Sequence, residues 1–219
     1  MPRVTLTFDN GPEPGVTEGV LDALAAAGVS ATFFVIGEKI ATPAGRRLAV
    51  RAREAGHKIG NHTFTHSIPL GLADSATLDA EIGATQRLLG DLAPERLFRP
   101  HGGGRIGPHL LSKSASDYLV AGGFTCVTWN VVPRDWKDPD GWADRALAGI
   151  ACERQPWSVV VLHDLPTGAM RLLPGFLDKL CNSGAEMTQD FPQECLPIVK
   201  GRPMPPLKDL VTSAQRIPK

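Results

Sequence analysis

The 219-residue chain lacks an excess of charge of either sign, with 23 Lys and Arg against 23 Asp and Glu, and no stretch is a run of like charge. It therefore carries no electrostatic footprint for nucleic acid or for an anionic membrane, and a neutral small molecule or a protein is the expected partner. No window approaches the roughly 18 consecutive apolar residues of a membrane helix, and the longest apolar runs, such as residues 159–162, suit buried strands. The four cysteines (Cys126, Cys152, Cys181 and Cys195) include no C-x-x-C pair, which argues against a zinc knuckle or redox motif and for reduced thiols. No basic start with an apolar stretch precedes the first strand-like segment, residues 3–8, so a cytoplasmic location is expected. Internal repeats and low-complexity segments are also missing.

What is present is an alternation of short β-branched or aromatic runs with longer stretches of helical period. Strands are predicted over residues 4–8, 31–36, 58–61, 96–99, 124–129, 158–162 and 185–188. Helices are predicted over residues 17–27, 44–55, 75–90, 108–121, 142–151 and 170–182, each with apolar residues three or four apart. Gly28, Gly56, Gly122 and Gly184 follow helical stretches, where a left-handed cap is expected. Such alternation predicts an α/β domain of parallel strands and crossover helices spanning residues 1–219. Even spacing, and no glycine-rich phosphate fingerprint after the first strand, favour an incomplete, distorted (β/α) barrel of about seven parallel strands over an open doubly wound sheet. The proline-rich tail, residues 191–219, is expected to pack irregularly over one end, with a short helix only within residues 207–215.

Working sites in parallel α/β folds lie at the carboxyl ends of the strands, and the polar residues gather there. Asp9 and Asn10 follow the first predicted strand, His62 and His66 the third, Arg99 ends the fourth, Asp135 and Trp136 follow the fifth, and His163 follows the sixth. One helical turn across His62-Thr63-Phe64-Thr65-His66 would present both imidazoles to one side, as a divalent metal requires. Alone, H-x-x-x-H reads as two loop histidines; at a strand end beside an acidic loop, it favours a metal. Asp9 precedes the Asn10-Gly11-Pro12 turn, where it either faces the barrel mouth or caps backbone amides. His163 suits a proton donor. His101 rims the site beside Gly102, Gly103 and Gly104, whereas His109 reads as a helix-start surface residue and His57 as structural.

Five segments occur in an order that resembles the polysaccharide deacetylases of the NodB-homology type, carbohydrate esterase family four, of the chitooligosaccharide deacetylase kind. They are Thr7-Phe8-Asp9-Asn10-Gly11-Pro12, His62-Thr63-Phe64-Thr65-His66, Phe98-Arg99-Pro100, Val132-Pro133-Arg134-Asp135-Trp136 and Val161-Leu162-His163, and the likeness runs over about residues 4–188. The resemblance implies a metal-dependent hydrolase that removes N-acetyl groups from an amino sugar or oligosaccharide. It implies Asp9 as general base, His163 as general acid, Arg99 orienting the base and Asp135 tuning the acid. It further implies a divalent metal at Asn10, His62 and His66, zinc first and cobalt, manganese or nickel next. Trp136 and Val161 would wall the acyl pocket, Gly102 would offer its amide to the oxyanion, and Pro100 and His101 would lie beside the substrate.

The chain also departs from the family pattern. Asn10 stands where T-F-D-D-G-P has its metal-binding aspartate, His101-Gly102 replaces proline and tyrosine, Val132 replaces the first aspartate of D-x-x-D-W, and Val161 replaces leucine. Asparagine keeps a carbonyl oxygen but no charge, so the cage is neutral and weaker. Two alternatives follow: a catalytically weakened or inactive sugar-binding homologue, or a hydrolase of another C–N amide bond, such as that of an N-formyl sugar or cyclic ureide.

Overall fold

Successive side chains of a strand point to opposite faces, and strand β1 (Arg3–Asp9) uses this to set the layers of the domain. In the computed structural model, which describes residues 2–152 and 156–212, Val4, Leu6 and Phe8 pack outward against Val20, Leu21 and Leu24 of helix α1 (Thr17–Ala27). Thr5, Thr7 and Asp9 occupy the other face and are also buried. Burial of each of the three large apolar side chains contributes roughly 1.5–3 kcal/mol.

Further strands follow at β2 (Thr32–Val35), β3 (Lys58–Asn61), β4 (Leu97–Phe98), β5 (Thr125–Cys126) and β6 (Trp157–His163). They pair in parallel in the order β6-β1-β2-β3-β4-β5. Helices α2 (Gly37–Ile40), α3 (Pro43–Glu54), α4 (Ser75–Leu78), α5 (Ala84–Leu89), α6 (Lys113–Ala121), α7 (Trp142–Ile150) and α8 (Leu173–Asn182) lie on the crossovers, with α8 following β6. The sheet curls until the chain beyond β5 meets β6 through one bridge, Val131 to Val160. This is the expected distorted barrel, closed among the described residues by that bridge and by the Asn130 side chain, which accepts the Val159 N–H and donates to the Trp157 carbonyl.

The seventh strand, β7 (Glu186–Thr188), does not enter the ring between β6 and β1. It pairs with Arg3–Thr5 of β1, while β2 pairs with Thr7–Asp9 and β6 runs along the whole strand. A strand has two edges, so β7 and β2 must share the edge opposite β6. The tail also differs from an irregular cover: β8 (Ile198–Val199) pairs antiparallel with β5 and turns into β9 (Arg202–Pro203). Lys200 and Gly201 both have positive φ, 47° and 76°, as a tight two-residue hairpin turn requires. A 3-10 turn spans Pro205–Asp209, and residues 213–215 of the predicted helix lie outside the described residues.

Helix boundaries shift for local reasons. The stretch predicted as one helix over residues 75–90 is interrupted by a π-helical turn, Asp79–Gly83. Helix α6 begins at Lys113 rather than at residue 108, because the Ser112 hydroxyl accepts the Ala115 N–H as its cap and Leu111 is paired with Val211. At its end Gly122 stays right-handed (φ −78°), and the left-handed position is Gly123 (φ 67°). Gly28, Gly56 and Gly184 take the expected positive φ.

All four cysteines are free thiols, and burial pushes those of Cys126 and Cys195 up to about 12. Among the described residues no helix is long and apolar enough to cross a membrane.

Candidate active site

Strand register brings the first two groups together. Asp9 pairs with His163 across β1 and β6, so a carboxylate and an imidazole leave neighbouring strands at the same end of the sheet. Asp9 is only 4% exposed, a position that an ionised carboxylate occupies only with a partner. Arg99 provides it: one guanidinium nitrogen donates to Asp9 Oδ1 at 2.8 Å and to the Thr7 hydroxyl at 2.6 Å. Its two other nitrogens donate to the Thr128 carbonyl at 3.2 Å and the Val127 carbonyl at 3.4 Å, and the plane lies 4.1 Å over the Phe34 ring. Arg99 is wholly buried, so Asp9 is held by a rigid, desolvated cation.

His163 has the opposite arrangement. Its Nδ1–H donates to Asp135 Oδ1 at 2.9 Å, and its backbone N–H donates to the other carboxylate oxygen at 2.8 Å. Burial disfavours the imidazolium, but the hydrogen bond and charge of Asp135 outweigh it and raise the His163 pKa above its ordinary value. Trp136 packs edge-on against the imidazole with ring centroids 4.7 Å apart.

The two histidines of the H-x-x-x-H segment share one side of the site, with ring centres 4.7 Å apart. They do so on a loop bent at two non-glycine residues, Thr63 (φ 69°) and His66 (φ 58°), rather than on a turn of helix. His62 donates its Nδ1–H to the Arg99 carbonyl at 2.8 Å, which leaves the Nε2 lone pair free, 3.6 Å from Asp9 Oδ2. Burial first, and the charge of Arg99 among lesser causes, lowers the His62 pKa to about 3; burial and the neighbouring imidazoles do the same for His66. Both rings are therefore neutral, the form that donates to a cation.

Asn10 completes this side. It adopts a left-handed conformation (φ 73°), and its Oδ1 is buried without a hydrogen-bond partner among the described residues. Such an orphaned carbonyl oxygen beside two neutral imidazoles fits a cation. Among the described residues no three His, Cys, Asp or Glu side chains form a metal cage, so a cation here would take two imidazoles and draw its other donors from Asn10 or water.

Asp9, Asn10, His62, His66 and His163 open on one cavity of about 250 Å³, lined also by Pro100, His101, Gly102, Trp136 and Val161, while Arg99 and Asp135 lie buried behind it. Sequence reasoning missed Trp129, Leu165, Gly103 and Gly104, which complete its wall. His101 is anchored by its Nε2–H to the Ile68 carbonyl at 2.9 Å, and its ring lies tilted against that of His66 with centres 4.5 Å apart. Two histidines stand apart: His57 accepts the Ala31 N–H, and His109 is an exposed loop residue ahead of α6 rather than at its start.

Three supporting carboxyl and amide groups also escaped the sequence. Buried Glu81 accepts the Phe64 and Thr65 N–H groups at 2.9 and 3.0 Å, and Asn61 accepts the Thr63 N–H at 3.0 Å. Asp164 lies beneath Gly11, so close that a Cβ there would fall 2.0 Å from its carboxylate. Burial pushes the Asp164 carboxyl up to about 7, against the hydrogen bond it accepts from Thr17 at 2.5 Å. Only Asp164 had a signal, its place next to His163.

Comparison with known proteins points the same way. Residues 1–117 match the polysaccharide deacetylase family. A chitooligosaccharide deacetylase of Bradyrhizobium sp. (strain ANU 289) is 36% identical over 77% of this chain and 74% of its own length. A protein of the same description from Sinorhizobium fredii (strain NBRC 101917 / NGR234) is 37% identical over 74% of this chain and 72% of its own. Among solved structures, a family 4 carbohydrate esterase from Streptomyces lividans, in complex with acetate, superposes with a TM-score of 0.72 at 27% identity, covering 90% of this chain and 97% of that one.

Proposed function

The chain belongs to the polysaccharide deacetylase family, and from that premise we propose that it hydrolyses the N-acetyl group of an amino sugar in an oligo- or polysaccharide, with a divalent cation held by His62, His66 and Asn10. The observation that carries this reading is the pair of oppositely partnered groups on one cavity: Asp9 bound to the Arg99 cation, and His163 bound to the Asp135 carboxylate. A base and an acid kept in different environments are what amide hydrolysis requires.

When bound, the cation, zinc first, supplies Lewis acidity toward the amide carbonyl and the attacking water. Arg99 occupies Asp9 Oδ1, so Oδ2 is the oxygen that faces His62 and takes the proton of that water. His163 has its Nδ1–H committed to Asp135, which leaves Nε2–H as the proton given to the departing amine. The amide of Gly102 makes no hydrogen bond to a described residue and borders the cavity, where it suits the developing oxyanion. Trp136, Trp129 and Val161 wall the acyl group and exclude water from it.

One observation favours a second reading. The donor set of Asn10 and two neutral imidazoles has no negative charge of its own, as in a weakened enzyme or a sugar-binding module. A substrate panel of N-acetylglucosamine oligomers, N-formyl sugars and cyclic ureides, with added divalent ions, separates these. The proposal expects free amine and acetate from the N-acetyl oligomers; turnover confined to another member reassigns the reaction, and binding without turnover favours the module.

A further inference from the structure

We infer that Glu81 is a positioning residue that sets the aim of His66 and thereby the affinity of the cation site, an inference that rests on reading His62 and His66 as cation ligands. The two imidazoles are held in different ways. His62 is anchored through its ring, by the Nδ1–H bond to Arg99. The His66 ring makes no hydrogen bond to any described residue and only lies between the rings of His62 and His101. Its direction is therefore set by its backbone, and that backbone takes a conformation that L residues avoid: φ is 58° at His66 and 69° at the β-branched Thr63. Such a loop persists only where its surroundings over-determine it.

The Thr63 hydroxyl accepts the His66 N–H at 3.1 Å, the Gly37 and Glu38 N–H groups donate to the Thr63 and Phe64 carbonyls, and Glu81 is the side chain from outside the loop that accepts most of its donors. Its carboxylate is 3% exposed and carries three bonds to the residues between the histidines: Oε2 accepts the Phe64 and Thr65 N–H groups, and Oε1 accepts the Thr65 hydroxyl at 2.8 Å. Glu81 sits at the centre of the π-helical turn Asp79–Gly83, and from the same turn the Ile82 carbonyl accepts the amide of Asn61, whose oxygen holds the Thr63 N–H. The departure from α-helical spacing thus coincides with two of the residues that support the loop, Glu81 directly and Ile82 through Asn61, as π turns often do at working sites. None of Asp9, Arg99, Asp135 and His163 bonds to Glu81.

Calorimetric titration with Zn(II) alone, on wild type, Glu81→Ala and Glu81→Gln, tests the inference. Glu81→Ala should weaken binding about 10- to 100-fold, the usual scale for losing a group that orients a metal ligand. Glu81→Gln should stay near wild type, because its carbonyl oxygen still serves both backbone N–H groups and its amide meets the Thr65 hydroxyl. Melting of the metal-free proteins is recorded beside it: a merely structural role lowers that melting point and leaves zinc affinity unchanged. Should Glu81→Ala fail to fold, Glu81→Asp replaces it, with the carboxylate drawn back by one methylene; loss of affinity in Asp but not Gln supports the inference, and the reverse order overturns it. A folded Ala variant with wild-type affinity overturns the role of Glu81 alone. No binding by the wild type overturns the cation reading and the inference with it.

Discussion

Replacing Asp135 with asparagine should disable the acid side of the site while leaving its shape nearly intact. Asp135 is fully buried and accepts both the ring N–H and the backbone N–H of His163. With charge centres about 4 Å apart and an effective dielectric near 20, the pair gains about 4 kcal/mol. That gain is support for the imidazolium. Burial opposes this support. Without Asp135 only the charges of Asp9 and Asp164 still oppose burial, so the His163 pKa should fall. The protonated acid then becomes scarce at neutral pH, and the asparagine amide also sets a donor against one of the two His163 donors. Turnover should fall by about 10²- to 10⁴-fold, the range for losing a general acid, and the basic limb of the pH profile should move to lower pH. Acetate release across the pH range, with NMR titration of the His163 ring, reads both effects. A basic limb that stays in place would refute the role of the pair.

Asn10→Asp adds one negative charge at an orphaned oxygen with little change in volume, and the left-handed conformation at position 10 accepts aspartate. Metal affinity should rise in a calorimetric titration; unchanged affinity would place Asn10 outside the coordination shell. Asp164 offers a stability test with a definite sign. Its folded pKa, about 7, lies above its unfolded value, so its stability contribution is complete below the unfolded pKa and is lost as pH rises through the folded one. Asp164→Asn keeps an acceptor for Thr17 and should therefore raise the melting temperature above pH 7, by at most about 4 kcal/mol in stability, with little change in acid. Equal effects at both ends of the scale, followed by calorimetry, would contradict that assignment.

The sheet was legible because its signals are local. Alternation in β1 and the apolar run of β6 placed Asp9 and His163 at strand ends, and hydrogen bonding between the strands then made them neighbours. The supports were not legible, because each reaches its partner through long-range geometry. Glu81 looks like a solvated helix residue until the π turn and the loop over residues 62–66 are seen together. Asn61 lies inside a strand, and nothing local shows that its amide bridges Ile82 and Thr63. The short hairpin of β8 and β9 hid behind proline, since Pro203 ends an edge strand where no N–H is needed. The place of β7 depends on β2 starting late along β1, which no propensity records.

The account stands most directly on the dependence of N-acetyl hydrolysis on a cation bound at His62, His66 and Asn10. The decisive measurement is acetate release from an N-acetylglucosamine oligomer by the chelator-stripped protein, before and after reloading with Zn(II) or Co(II), alongside a His62→Ala, His66→Ala double variant. The stripped protein should be inactive, reloading should restore release, and the double variant should recover nothing at the same metal concentration. Full activity in the stripped protein, or in the double variant, would contradict the account.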